Sequence, residues 1–236
     1  MTVDYLVLAP HPDDAEIHLG AALAAWSRAG RRVVVCDATD GALASRGTVA
    51  ERQREAAAAA EILGLAGREN LGLPDGGLDE SDRAQRDVLV AAFRRHRPRA
   101  VLAISPVARH SDHIALGRLA ERAVKMAALH RLVPEAGPAV PGLRLWWYEA
   151  ELPLPSPKFL IPSTEADWQA KRAAILAYGS QLARPDGSGP ATSIATPEFL
   201  HWIEARGRAW GYQAGAAYAE ACDGPEALRV EDLLGK

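Results

Sequence analysis

Cysteine is nearly missing from this chain of 236 residues, in which only Cys36 and Cys222 occur. A chain with only two cysteines is unlikely to have the disulfide framework of a small secreted domain. Phenylalanine and methionine are also scarce, with three and two residues. The hydrophobic fraction of 48% nevertheless supplies a substantial core for one globular domain of ordinary composition.

Long apolar runs and a surplus of positive charge are missing too. No stretch approaches the roughly 20 apolar residues that a membrane-spanning helix needs. The net charge of −3 argues against a diffuse basic surface for nucleic acid. The first residues contain no basic segment followed by an apolar one, as a secretory signal would. We therefore expect a cytoplasmic protein that binds neither membranes nor nucleic acids.

Strand and helix patterns alternate through the first half of the chain. Buried-strand patterns are separated by helical ones such as Val49–Leu63, which Thr48 and Glu51 would open as a capping box. This alternation predicts parallel βαβ units with right-handed crossovers. The four strands expected here are Val3–Leu8, Val33–Asp37, Glu69–Leu73 and Ala100–Ile104.

The second half is richer in proline and glycine. We predict two more strands, a helix capped by Thr164, a mobile polar loop and a last helix. That last helix is expected to use Thr196 as its cap and Pro197 in its first turn. Gly211 and Gly215 would lie inside it, where their spacing suggests close packing against another element. The predicted ranges are strands Leu143–Glu149 and Lys158–Ile161, a helix to Tyr178, a loop Ala183–Thr196 and a helix to Glu220.

The first strand pattern ends in the run Ala9-Pro10-His11-Pro12-Asp13-Asp14, directly before a helical pattern. A plain helix start is one interpretation, since Pro12 suits a first turn and both acids complement the positive helix N-terminus. A metal site is the other, because His11 and Asp14 are three residues apart across the turn and can converge on one ion. Ligands usually bind at this carboxyl end of the strands in open α/β sheets.

The run Arg109-His110-Ser111-Asp112-His113 repeats that arrangement between the fourth strand pattern and the next helical one. Catalytic zinc usually takes three protein ligands plus water, so a site at His11 and Asp14 requires a third ligand. Two histidines at i and i+3, at the same end of the sheet, are good candidates. A helix cap or a surface position is the alternative for each of them.

These motifs resemble those of the LmbE-like (PIG-L) family of zinc N-deacetylases, which act on N-acetylglucosaminyl compounds. The resemblance rests on His11-Pro12-Asp13-Asp14 and the distant His110-x-Asp112-His113. Further matches resemble the deacetylases of bacillithiol biosynthesis and span nearly the whole chain. They comprise Asp40–Glu55, Asn70–Asp75, Ala177–Gln181, Glu204–Arg206 and Gly211–Glu220.

The resemblance implies a single domain over residues 1–236 with an α/β fold. The expected architecture is a Rossmann-like three-layer sandwich with a mostly parallel sheet and helices on both faces. The implied reaction is zinc-dependent removal of an N-acetyl group from a small amino-sugar substrate, with N-acetylglucosaminyl-malate as the specific expectation. Fe2+ could replace Zn2+ in the cell, and a homo-oligomer, trimer or hexamer, is expected by resemblance.

Carried onto this sequence, the family pattern makes His11, Asp14 and His113 the metal ligands. Asp13 is then the general base, and His110 would stabilise charge at the carbonyl oxygen or the leaving group. Asp112 has two open roles, since it could orient His110 or belong to the helix start.

Arg52 and, more weakly, Arg109 are expected to bind the malate carboxylate, because a guanidinium fork matches that geometry. Two positions depart from the family pattern. Ser111 replaces a common proline, and Phe199 stands where relatives carry a tyrosine that can reach the site. Phenylalanine cannot donate a hydrogen bond to an oxyanion, which weakens the substrate assignment.

Three rival functions compete with this one. The nearest is deacetylation of another N-acetyl sugar or amide hydrolysis of thiol conjugates. A nucleotide-binding Rossmann protein would need a Gly-rich turn after the first strand, where this chain has two acids. A non-catalytic metal- or sugar-binding module would have no use for Asp13, which is not needed as a ligand.

Overall fold

A computed structural model describes residues 2–184 and 186–227. Strands and helices alternate through the first half of the chain, as the sequence predicts. The strands are β1 (Tyr5–Ala9), β2 (Val33–Asp37), β3 (Gly67–Asn70), β4 (Ala100–Ile104), β5 (Arg144–Tyr148), β6 (Phe159–Ser163) and β7 (Tyr218–Asp223). The helices are α1 (Asp14–Arg28), α2 (Val49–Ile62), α3 (Arg83–His96), α4 (Ser111–Met126), α5 (Glu165–Leu176) and α6 (Phe199–Ala214), with a 3-10 turn at Pro134–Ala136.

All seven strands form one sheet in the order β3-β2-β1-β4-β5-β7-β6. The first five strands of that order pair in parallel, whereas β7 runs antiparallel to both β5 and β6. Helices α1, α2 and α5 pack together, and α3 packs on α4. The predicted fold, a three-layer α/β sandwich around a mostly parallel sheet, is therefore confirmed.

The middle of the sheet, where β1 lies between β2 and β4, is buried. Val33, Val35 and the apolar residues 6–9 are fully buried. Strands that are covered by helices on both faces consist of continuous apolar runs. These segments therefore lack the alternation of apolar and polar residues that a half-exposed strand shows. A smaller apolar cluster lies under α6 and joins Ile17, Trp168 and Tyr218.

Two helix starts follow the predicted chemistry. The capping box at α2 is present, since the Thr48 hydroxyl accepts the Glu51 N–H and the Glu51 carboxylate accepts the Thr48 N–H. Thr164 and Asp167 form the same box at α5. The third strand was predicted two residues late, because it begins at Gly67.

The prediction for the last helix is wrong at both ends. Helix α6 starts at Phe199, after Thr196 and Pro197, and no side chain caps its start within the described ranges. It ends at Ala214 rather than Glu220, and residues 218–223 form β7. Burial decides this difference, because Tyr218 and Cys222 are almost fully buried between neighbouring strands.

The two glycines of α6 serve different purposes. A Cβ at Gly211 would lie 2.7 Å from the Cα of Tyr218, so the predicted close packing is confirmed there. Gly215 is the left-handed residue that ends the helix, with φ +66°, and no described residue lies within 4 Å of its Cβ direction. The close-packing prediction is therefore wrong for Gly215.

None of the helices in the described ranges combines the length and the apolar character required to cross a bilayer.

Candidate metal centre and active site

The candidate site lies at the carboxyl ends of β1 and β4, two parallel neighbours in the middle of the sheet. The chain leaves β1 through His11 to enter α1, and it leaves β4 through His110 to enter α4. Because the paired strands end side by side, the two loops meet although they are far apart in sequence. The ring centroids of His11 and His113 are 5.6 Å apart.

The three side chains predicted to bind a metal converge on one point. The Nδ1 atom of His11 lies 3.2 Å from Oδ2 of Asp14, and the Nε2 atom of His113 lies 3.3 Å from the same oxygen. One ligand atom from each residue lies within 4.8 Å of the other two. The structure thus brings His11, Asp14 and His113 together in a geometry that can hold a metal ion, and their role as ligands stays a prediction.

Each imidazole meets a second carboxylate at its other nitrogen. His11 Nε2 lies 3.1 Å from Oδ1 of Asp75 and 3.3 Å from Oδ2 of Asp112. His113 Nδ1 lies 3.3 Å from Oε1 of Glu151. Carboxylates placed this way fix the ring orientation and the tautomer of metal-binding histidines. The donor set therefore fits a divalent cation such as zinc in both its inner and its outer partners.

Burial and negative charge set the pKa values of these groups. Burial lowers the pKa of His11, but hydrogen bonds with Asp112 and Asp14 outweigh it and raise the value to about 10. The pKa of His113 is raised to about 9, because Asp14 and Glu151 outweigh the effect of burial. Burial raises the pKa of Asp14, yet His113 and His11 hold it well below its usual range. The centre favours positive charge, and a metal ion would displace protons.

Sequence analysis missed Asp75 and Glu151 as partners of the histidines. Asp75 lies in the turn that follows β3, and Glu151 follows β5 by three residues. Acidic residues just beyond the carboxyl end of a predicted strand are the signal that could have found both.

Asp112 belongs to the first turn of α4, which was one of the two roles predicted for it, and its carboxylate contacts His11 rather than His110. Its Oδ2 accepts the Gly76 N–H at 2.8 Å, and its Oδ1 accepts the Leu78 N–H at 3.3 Å. The carboxylate therefore ties the turn after β3 to the start of α4 while it contacts His11. His110 is the capping residue of α4, because its Nδ1 accepts the Asp112 N–H at 3.2 Å.

Asp13 is buried beside the candidate ligands in an unusual backbone conformation. Its φ of +115° lies where residues other than glycine are rare. The carboxylate Oδ2 lies 3.2 Å from Nη2 of Arg52. Burial raises the pKa of the Asp13 carboxyl to about 7, although the charge of Arg52 acts in the opposite direction. A carboxyl group with such a pKa can exchange a proton near neutral pH.

The predicted substrate arginines differ in their surroundings. Arg52 is buried, and its Nη2 donates to the carbonyl oxygen of Pro12 as well as facing Asp13. Arg109 is exposed and has no hydrogen-bond partner among the described residues. Both line the same cavity. Their predicted role in binding a carboxylate stays a prediction.

An open cavity of about 560 Å³ lies over the centre, a size typical of small-molecule sites. Every residue predicted for the site lines it, including His110, whose ring stacks on His113 at 4.9 Å. Burial and the charges of the other two histidines lower the pKa of His110. The opposite wall consists of Phe199 and Ile203 from α6 and of the segment 192–194.

Both metal motifs lie within a stretch that matches a known family. A sequence model of the family described as "PIG-L: GlcNAc-PI de-N-acetylase" matches residues 6–124, which make up half of the chain. The protein belongs to this family. The activity in that description is hydrolytic removal of an N-acetyl group, so the deacetylase resemblance of the two motifs is confirmed at the level of the family.

Solved structures similar to this chain fall in the same fold. The conserved protein TT1542 from Thermus thermophilus is 38% identical, with a TM-score of 0.85 over 97% of this chain and 98% of that one. The N,N'-diacetylchitobiose deacetylase from Pyrococcus horikoshii is 23% identical, with a TM-score of 0.79 over 93% and 82%. The 4-carboxy-2-hydroxymuconate hydratase GalB from Pseudomonas putida is 22% identical, with a TM-score of 0.76 over 99% and 100%.

The similarity to the last two structures, at 23% and 22% identity, shows only a shared fold. A hydratase and a deacetylase share it with this member of the PIG-L family, so the chemistry has to be argued from the site.

Proposed function

We propose that this protein is a zinc-dependent N-deacetylase of an N-acetylglucosaminyl compound. N-Acetylglucosaminyl-malate, a substrate of bacillithiol biosynthesis, is the first candidate. One observation carries the proposal: the buried Asp13 carboxylate lies directly beside the cluster of His11, Asp14 and His113 and is not needed to complete it. A site that only bound metal would not require that extra carboxylate.

His11, Asp14 and His113 would hold the metal. Zinc in such a site supplies a Lewis acid for the amide carbonyl and lowers the pKa of water to about 7. Asp75, Asp112 and Glu151 would keep the two imidazoles in the correct orientation through the contacts described above.

Asp13 acts as the general base in this proposal. It takes a proton from the attacking water and returns it to the nitrogen of the leaving amine. His110, at the rim and in contact with both other histidines, stabilises the negative charge that develops on the carbonyl oxygen. Phe199 lines the cavity without a hydroxyl group, which leaves that task to His110.

The two arginines divide their tasks. Arg52 has its Nη2 engaged with Asp13 and Pro12, so we assign it to holding the base as well as to the substrate side of the cavity. Arg109 presents a guanidinium without a protein partner at the same cavity in the described part of the chain, which suits the carboxylates of a malate group.

Acetate release from three substrates tests the function: N-acetylglucosaminyl-malate, free N-acetylglucosamine and an N-acetylated thiol conjugate. We expect the malate glycoside to be preferred, a chelator to abolish turnover and added zinc to restore it. Preference for free sugar or for the thiol conjugate would support the alternatives of another sugar deacetylase or a thiol-conjugate amidase. Turnover that survives complete metal removal would contradict the mechanism.

Two further properties stay proposals that rest on the resemblance. We propose an assembly of three or six copies, which light scattering on the purified protein can measure. We also propose a cytoplasmic location, which fractionation of the producing cells can test.

A further inference from the structure

The motif Ala177–Gln181 has no role in the proposed chemistry, and its contacts point to another one. Glu55 on α2 accepts the Ser180 N–H and the Ser180 hydroxyl, both at 2.7 Å. Gln181 donates its Nε2 to the Arg46 carbonyl oxygen at 2.7 Å. The beginning of the irregular segment between α5 and α6 is thus attached to α2 and to the loop before it.

Arg46 attaches the same segment a second time, through its side chain. Its Nη1 donates to the carbonyl oxygen of Pro190 at 2.9 Å, and its Nη2 donates to that of Ser188 at 2.8 Å. The intervening Gly189 lies so close that a Cβ there would be 2.8 Å from Nη2 of Arg46. One guanidinium group therefore clasps three consecutive residues.

Arg46 is buried, with 7% of its surface exposed, although it lacks a charged partner among the described residues. No carboxylate oxygen lies within 4.0 Å of the Arg46 guanidinium in the ranges that the structure describes. Burial of an unpaired charge is unfavourable unless hydrogen bonds compensate for it. The two carbonyl groups of the segment provide that compensation, so the arginine and the segment hold each other in place.

The residues that follow this segment in sequence form a wall of the cavity. Thr192, Ser193 and Ile194 line the cavity, two residues beyond the carbonyl group of Pro190. Residues 43–45, which directly precede Arg46 in sequence, also line the cavity. Arg46 thus joins two walls of the site without lining the cavity itself.

We propose that Arg46 is a positioning residue that clamps the segment 188–194 over the cavity, where the hydroxyl groups of Thr192 and Ser193 bind hydroxyl groups of the sugar ring. This proposal rests on the proposed function for the identity of the substrate. It assigns Arg46 to substrate binding and leaves metal binding and proton transfer to the residues around Asp13.

The experiment compares Arg46→Ala and Arg46→Lys with the exposed control Arg54→Ala, all loaded with zinc. We expect Arg46→Ala to raise KM for N-acetylglucosaminyl-malate about tenfold while kcat stays within about twofold, because substrate binding alone is weakened. Arg46→Lys keeps the charge but not the fork, so an intermediate KM is expected. Zinc content should match the wild type in all three variants.

Hydrogen–deuterium exchange measures the clamp without any substrate. We expect faster exchange of the amides in residues 186–198 of Arg46→Ala, and unchanged exchange in Arg54→Ala. Ser193→Ala should raise KM about threefold without changing exchange, because it removes one hydrogen bond to substrate. If Arg46→Ala does not fold, Arg46→Lys provides the same two measurements.

The outcomes separate this proposal from the proposed function. Wild-type exchange and wild-type KM in both Arg46 variants would overturn the clamp even if the enzyme deacetylates the malate glycoside. Absence of wild-type turnover would overturn the proposed function. Even without wild-type turnover, faster exchange in Arg46→Ala would support the clamp, and unchanged exchange would overturn the clamp too.

Discussion

Asp13 shows how a single residue combines strain with chemistry. A residue other than glycine at a φ of +115° costs about 1–3 kcal/mol and persists only where surrounding contacts enforce it. Here the guanidinium of Arg52 holds this turn, since it faces the Asp13 carboxylate and donates to the carbonyl oxygen of Pro12. In this conformation the carboxylate lies beside the candidate metal ligands.

Replacing Asp13 separates catalysis from metal binding. We expect Asp13→Asn to retain its zinc and to lose turnover by about 10²- to 10⁴-fold, because an amide cannot accept the water proton. Elemental analysis and acetate release are the two measurements. Activity close to wild type would remove Asp13 as the base.

His110 and His113 form a matched pair at the start of one helix. His113→Ala should lose the metal, since it deletes one of three ligands. His110→Asn should keep the metal, because asparagine preserves the cap of α4, and kcat should fall by about 10- to 100-fold. Metal content by elemental analysis checks both, and one zinc per chain in His113→Ala would refute the ligand set.

Among single residues, the site residues that belong to a local sequence pattern could be predicted, and those outside such a pattern could not. His11, Asp14 and His113 follow two predicted strands within a few residues, so their convergence could be expected. Glu151 belongs to no motif, and only its position two residues after the predicted strand Leu143–Glu149 could have indicated it. The partners of Arg52 were equally hidden, because nothing in the sequence reveals that its guanidinium turns toward Pro12 and Asp13.

At the scale of helices and strands, local chemistry decides the starts of α2 and α5, and long-range pairing decides the end of α6. Thr48 and Thr164 form capping boxes with neighbours three residues away, which a sequence reveals directly. Residues 214–221 are rich in alanine, a strong helix former, yet the helix stops at Ala214 and the chain enters the sheet at Tyr218. Pairing of β7 with β5 and β6 overrides that preference.

The capping box of α5 gives a prediction about pH. Burial raises the pKa of Asp167, but hydrogen bonds from Thr164 and Arg28 outweigh it and leave the pKa lowered. A carboxyl group whose folded pKa is depressed stabilises the protein above its unfolded pKa, and this contribution is lost as pH falls through the folded value. Asp167→Asn should therefore lower the free energy of unfolding by about 1–2 kcal/mol at pH 7.

Urea denaturation between pH 7 and pH 3 measures this effect. The difference between wild type and Asp167→Asn should stay constant down to about pH 4 and shrink below it. Glu165→Gln, at an exposed position of the same first turn, is the control. A difference that persists undiminished at the lowest pH would contradict the charge as its origin.

Across the whole molecule, one buried ion pair connects three elements that are distant in sequence. Nζ of Lys171 on α5 lies 2.5 Å from Oε1 of Glu220 on β7. The other oxygen of Glu220 accepts the Ala22 N–H of α1 at 2.7 Å. Alternation of strands and helices predicted the parallel part of the sheet, but this antiparallel edge depends on such contacts between distant segments and could not be predicted.

Removing one member of that pair should be severe. Glu220→Ala leaves the ammonium group of Lys171 buried without a partner, and we expect a loss of about 3–5 kcal/mol in the free energy of unfolding. Adding Lys171→Met to Glu220→Gln removes the charge and keeps an acceptor for Ala22, so most stability should return. Thermal denaturation of Glu220→Ala and of the double variant measures the two losses of stability. Equal losses would contradict the electrostatic explanation.

The order in which the cavity residues are translated has a consequence for biosynthesis. A ribosome produces His11 first, His113 near mid-chain and the α6 wall with Phe199 close to the end. A nascent or truncated chain that stops before α6 therefore has all three candidate metal ligands but lacks one wall of the cavity. We therefore expect the proposed substrate to bind only after α6 has been synthesised.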